Sequence, residues 1–231
     1  MLKKFLFKLS NRAHKLFGYE VIKAGSNAPI QIYQYDKSGS FDYDAYKEIQ
    51  QQGNKRKIEN VWVDEENIKF LADYIKNELS SIEFGLCHGT RRGLEQKWFK
   101  KYLDCEVLGT EISDTATQFE DTIEWDFHNI KDEWIDSVDF IYSNSFDHSY
   151  DPNACINAWA GCLRRGGIIA IEHTSGHEKA TKLDPFGAKI QVMPYLLTTW
   201  LRGKCGVIDV VEAPVLANGQ SYTQFIVLQK R

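Results

Sequence analysis

Apolar residues recur at helical spacing from the first positions of the chain. Leu2, Phe5, Leu6, Leu9, Ala13, Leu16 and Phe17 mark one face, with Lys3, Lys4, Lys8, Arg12 and Lys15 mostly between them. This pattern predicts an amphipathic helix that stops near Gly18. From Ala24 to about Ser40, Gly, Ser, Asn and Pro break the rhythm and predict a linker or loop. Tyr43 to Gln52 reads as a helix, Gly53 to Lys57 as a basic turn, and Ile58 to Val63 as a short mixed stretch. Asp64 is a good helix N-cap. Glu65 and Glu66 suit the first turn, and Ile68, Leu71, Ile75 and Leu79 form the apolar stripe that follows.

Beyond that helix, apolar runs alternate with helical stripes. Ser81 to Gly85 reads as a short strand running into a glycine turn, and Leu94 to Tyr102 as a helix. Glu106 to Glu111, Thr122 to Asp126 and Val138 to Ser143 read as strands, and Pro152 to Leu163 as a helix with Ile156, Trp159 and Leu163 inward. Gly167 to Glu172 is apolar on both faces, as a strand covered by helices on each side must be. The alternation predicts an α/β chain with a doubly wound, mostly parallel sheet. Gly206 to Ala213 and Tyr222 to Gln229 break it. They read as two strands joined by the turn Ala217-Asn218-Gly219-Gln220, with no helix between, so the sheet closes on an antiparallel C-terminal hairpin. The expected division is a helical extension over residues 1–63 and a Rossmann-like domain over 64–231.

Composition narrows the classes. The chain has 231 residues, 43% of them hydrophobic, and a net charge of −4. A weakly acidic globular chain is a poor general binder of nucleic acid, and none is expected as a partner. Cys87, Cys105, Cys155, Cys162 and Cys205 are odd in number and hold no Cys-x-x-Cys pair, which argues for a reduced, cytoplasmic setting and against a structural zinc site. Residues 1–23 carry six basic side chains against Glu20 alone. The first helix therefore either meets an anionic membrane face weakly through residues 2–17 or packs on protein; its few turns favour packing.

The chemistry concentrates around Glu83-Phe84-Gly85-Leu86-Cys87-His88-Gly89, which follows a strand and precedes a helix. Glycine lets the backbone turn sharply and approach a ligand, and the next helix aims free N–H groups at it. About twenty residues on, a second strand ends in Glu111, a carboxylate able to accept both ribose hydroxyls of a nucleoside. A nicotinamide fingerprint is not met, since its glycine places hold Gly85, Cys87 and Thr90, and a P-loop is excluded for want of Gly-Lys-Ser/Thr.

On these residues the chain resembles the class I S-adenosylmethionine-dependent methyltransferases, over roughly Asp64 to Arg231. Glu83 to Gly89 is similar to the family's first motif, with Cys87 in place of the middle glycine. The resemblance implies S-adenosylmethionine as cofactor, held by Glu83, Gly85, Cys87, Gly89, Glu111, Ile112, Asp126, Phe127 and Asn144. Glu111 would take the ribose and Asp126 the adenine amino group. Ser143 to His148 matches the loop that borders the methyl group and its acceptor, and Leu163-Arg164-Arg165-Gly166-Gly167 the turn before the fifth strand. A hydroxyl or amine acceptor needs its proton removed by a group titrating near neutrality. His148 is the first candidate, with Asp147 to orient or replace it, and His173 the second. His148 is equally suited to capping the loop near Asp151. His173 and His177 with Glu172 and Glu178 are spaced through a loop, so no metal is expected.

The expected activity is methyl transfer to a small molecule or to a sugar of a glycan precursor. The sugar rests only on resemblance, through the basic helix and Phe17-Gly18-Tyr19-Glu20. The alternatives are a binding protein that keeps the fold without turnover, or another enzyme of this fold such as an aminopropyl transferase. Oligomeric state is open.

Overall fold

The computed structural model describes residues 28–37 and 40–231. The basic amphipathic stretch at 2–17 lies outside the described residues. Among those described, no helix is long and apolar enough to cross a membrane.

In chain order the elements begin with three short strands, β1 (Ile30–Ile32), β2 (Asp36–Lys37) and β3 (Ser40–Phe41), and the helices α1 (Tyr43–Arg56) and α2 (Glu65–Glu78). Strand β4 (Phe84–His88), helix α3 (Leu94–Leu103), β5 (Glu106–Glu111), β6 (Thr122–Glu124) and β7 (Val138–Ser143) follow. Helix α4 (Pro152–Cys162), β8 (Leu163–Thr174), β9 (Phe186–Ala188), α5 (Met193–Leu201), β10 (Cys205–Glu212) and β11 (Thr223–Lys230) complete it.

The central sheet has seven strands in the order β10-β11-β8-β7-β4-β5-β6. Strands β4 to β8 pair in parallel, and β11 runs antiparallel to both β8 and β10. This is the parallel sheet and terminal hairpin that the alternation predicts. The order reverses between β4 and β7, and in such sheets ligands settle at the carboxyl edge of that reversal.

Strand alternation sorts the core onto the two faces. On one face Leu86, Ile141, Ile169 and Ile226 pack with Trp159 of α4 and Leu197 of α5. On the other, Cys87, Phe140, Ala170 and Val227 pack with Ile68 and Leu71 of α2 and Phe99 of α3. Asp64 caps α2 by accepting from the Glu66 N–H at 2.9 Å.

Three expectations about local structure need correction. Residues 53–56 are not a turn: α1 continues through them, and the glycine at 53 serves packing, since a Cβ there would come within 2.3 Å of Leu183. The segment expected as linker also carries β1, which pairs antiparallel with β9 in the register Ile30 to Ala188. The first strand of the sheet itself begins later than expected, at Phe84, and runs on through Gly85 to His88.

Candidate active site

That later start moves the bend. Gly85 lies inside β4, opposite Phe140 of β7, and a Cβ there would sit 2.2 Å from the Phe140 ring. Cys87 is fully buried on the α2/α3 face, where burial pushes its thiol well up. Glu83 is exposed at the amino end of β4, where its N–H donates to Asp139. Glu83, Gly85 and Cys87 are therefore not brought to a ligand edge. Glycine at 85 answers the bulk of Phe140, which the local sequence does not reveal.

The sharp bend is at Gly89 (φ 77°), followed by Arg91 (φ 42°) and Gly93 (φ 72°). Gly89 N–H donates to Thr110 O at 2.8 Å, which ties the bend to β5. Ser145 Oγ donates to Gly89 O at 3.2 Å, which ties it to the loop after β7, and a Cβ on Gly89 would meet Ser145 Cβ at 2.6 Å. Glu111 ends β5 beside the bend. Its carboxylate accepts from Arg91 N–H and Ser113 N–H, both at 3.1 Å. Burial raises the Glu111 carboxyl, against the pull of those N–H groups and of the Arg91 charge.

A cleft opens over this edge in two adjoining lobes that share Lys57, Gly89, Arg91, Ser145 and His148. The smaller, about 40 Å³, is bounded by Glu111, Ile112 and Phe127 on one side and by Tyr46, Gln50 and Gly53 of α1 on the other. The larger, about 190 Å³, is lined by polar groups that include Asn144, Asp147, Glu172 and Asp184. Helix α1 is thus part of the site, which its sequence pattern did not indicate. Tyr46 Oη donates to His148 O at 3.1 Å, and Gln50 Nε2 to Leu183 O at 2.7 Å.

Asp126 does not line either lobe. Burial alone would raise its carboxyl, but the His128 ring at 2.7 Å, the His128 N–H and the Tyr43 hydroxyl at 2.8 Å hold it below its ordinary value. His173 misses the cleft. On β8, Glu172 and Thr174 line the larger lobe, so alternation turns His173 to the other face, against Tyr222. His173 therefore cannot serve as the acceptor's base from this position. The ring is 3% exposed, its Nε2 lacks a partner, and burial lowers it to about 3.

Asp147 and His148 do reach the cleft, on a single 3-10 turn, Phe146–His148, after β7. Burial raises the Asp147 carboxyl to about 6. Asp184, which the sequence reading did not single out as a site residue, faces His148 with Oδ1 3.5 Å from Nε2. Deeper in, burial pushes Glu172 up to about 7 and Glu95 to about 8. Glu172 accepts from the Tyr142 hydroxyl at 2.7 Å.

No family model matches the sequence, and no curated protein does. Solved structures match the fold. A 1,6-didemethyltoxoflavin-N1-methyltransferase from Burkholderia thailandensis, solved with S-adenosylhomocysteine, is similar at TM-score 0.64 and 14% identity, over 86% of this chain and 94% of that one. The N-methyltransferase NodS from Bradyrhizobium japonicum, also holding S-adenosylhomocysteine, matches at 0.55 and 12%, over 78% and 98%. A TehB-like S-adenosylmethionine-dependent methyltransferase from Corynebacterium glutamicum matches at 0.52 and 16%, over 81% and 100%. The chain has the class I methyltransferase fold.

The donors at the cleft suit an adenosyl amino acid. Glu111 keeps unused lone pairs at the strand end. Thr90 Oγ1 and Arg91 Nε are buried without partners beside the bend, as a cationic and hydroxyl pair for a carboxylate would be. The smaller lobe is narrowed on one side by α1.

Proposed function

We propose that the protein is an S-adenosylmethionine-dependent methyltransferase acting on a small hydroxylated or amine-bearing molecule, a sugar of a glycan precursor being one such acceptor. The observation that carries this reading is the pairing of Glu111 with the Gly89 bend at the point where strand order reverses. When bound, the cofactor supplies an activated methyl group on a sulfonium. Glu111 would hold the ribose, with Ile112 and Phe127 against the base and Asp126 and Asn144 at the margins. Thr90 and Arg91 would take the amino-acid carboxylate. The chain's own contribution is to place an acceptor in the larger lobe in line with the methyl group and to exclude water. His148 and Asp147 border that position.

Four carboxyls line the larger lobe, Glu95, Asp147, Glu172 and Asp184, and this favours a second reading, aminopropyl transfer to a polyamine. Thermal unfolding separates the two. S-adenosylhomocysteine at a hundred times its dissociation constant is expected to stabilise the chain by about 2.7 kcal/mol. The decarboxylated donor should stabilise it less, having no group for Thr90 and Arg91. The reverse order would favour aminopropyl transfer, and no shift with either would end both readings.

A further inference from the structure

We propose that Asp147, His148 and Asp184 form a binding site for a divalent metal ion at the acceptor end of the cleft. One ligand atom from each comes within 4.8 Å of the others. The hydrogen bonds around them turn one ligand atom of His148 and one of Asp184 toward each other. Gln50 Nε2 is committed to Leu183 O at 2.7 Å, so its Oε1 is the atom that meets His148 Nδ1 at 2.7 Å. An oxygen there accepts, so Nδ1 donates and Nε2 is the ring atom left to face Asp184 Oδ1, at 3.5 Å. A metal ion between Nε2 and Oδ1 would bind both. The outer oxygen of Asp184, Oδ2, already accepts from Thr181 Oγ1 at 2.9 Å. Gln50 and Thr181 thus orient the ligands from behind, the arrangement that fixes ring and carboxylate direction in metal sites.

A second observation points the same way. Asp147 is 8% exposed, yet its Oδ1 has no hydrogen-bond partner. A buried carboxylate oxygen without a donor is costly, and a cation removes that cost. Cis ligands on bonds of about 2.1 Å stand roughly 3 Å apart, so modest movement of the two loops closes the site. Two carboxylates and one imidazole suit Mn²⁺ or a similar first-row ion, with open positions for water or for an oxygen of the acceptor. The ion would join the loop after β7 to the loop before β9 across the cleft. Its link to the acceptor rests on the methyltransferase reading; the ion's binding does not.

Titrating MnCl₂ into the full chain, with free Mn²⁺ followed by electron paramagnetic resonance, is expected to show one ion bound per chain. Asp184→Asn and His148→Gln are each expected to weaken binding by about tenfold or more. Glu106→Gln, on the far edge, should leave it unchanged. Thermal unfolding without metal checks that each variant is folded. No stoichiometric uptake by the unaltered chain overturns the site, and so does uptake indifferent to both substitutions. A chain that takes up Mn²⁺ but is not stabilised by S-adenosylhomocysteine keeps the metal site and loses the methyltransferase reading.

Discussion

The two ends of the parallel strands treat buried polarity differently. At the amino end, Asp139 is 5% exposed and fully engaged. Its Oδ2 accepts from the N–H groups of Glu83 and Phe84 at 2.6 and 2.8 Å, and its Oδ1 from Arg164 Nε. Arg164 in turn donates to Ser81 O at 2.9 Å. At the carboxyl end, Thr90 Oγ1, Arg91 Nε and Asp147 Oδ1 are buried without partners, and burial pushes the carboxyls of Glu95 and Glu172 up. The same strands pass through both ends and one continuous core supports both. A saturated cluster contributes stability, whereas an unsaturated one is an expense justified only by what binds there.

The sharpest way to break this contrast is at the amino end. Asp139→Ala leaves two N–H groups and a guanidinium uncompensated, and should cost about 3 kcal/mol of unfolding free energy in urea. Folded variant should still bind S-adenosylhomocysteine with unchanged affinity; a large affinity loss would mean the two ends are not independent. Gly85→Ala tests the strand between them. Its Cβ must displace the Phe140 ring, so a loss of roughly 2 kcal/mol is expected with cofactor affinity kept. Weakened binding without a stability loss would return Gly85 to the ligand.

At the carboxyl end, Glu111→Gln keeps an acceptor but removes the charge. Affinity for S-adenosylhomocysteine by calorimetry should fall about tenfold, since charge-assisted bonds are roughly twice as strong as neutral ones. An unaltered dissociation constant would exclude a ribose contact. The mildest effect, per pH unit and per carboxyl, is on the pH profile. Glu172 and Glu95 titrate at about 7 and about 8 when folded, above the ordinary 4.5. The folded chain thus binds more protons than the unfolded one between these values, and stability falls as pH rises through that window. The expected slope is on the order of 1 kcal/mol per pH unit for each carboxyl. Glu172→Gln should flatten part of it in urea titrations, and a profile identical to the unaltered chain would mean Glu172 is charged.

Much of the fold is legible in the sequence because the strands are buried on both faces and read as apolar runs between helical stripes. Asp64 announced α2, and the hairpin was visible because no stripe separates its strands. Glu111 was legible for a positional reason, as an acid closing the second strand of a nucleotide-type unit. The register of the glycine run was not, because the glycine at 85 is demanded by Phe140, far away in sequence. The grouping of His148 with Asp184 depended on loops without period, and that of Gln50 and Tyr46 with the cleft on a helix whose inner face looked merely polar.

Helix α1 ties three segments of the cleft together. It is latched over the smaller lobe by Tyr46 and Gln50, and by Gln51 Nε2 donating to Ile112 O at 3.3 Å. Anything seated beneath α1 is therefore bounded by a helix that three side-chain hydrogen bonds tie to the segments after β5 and β7 and before β9.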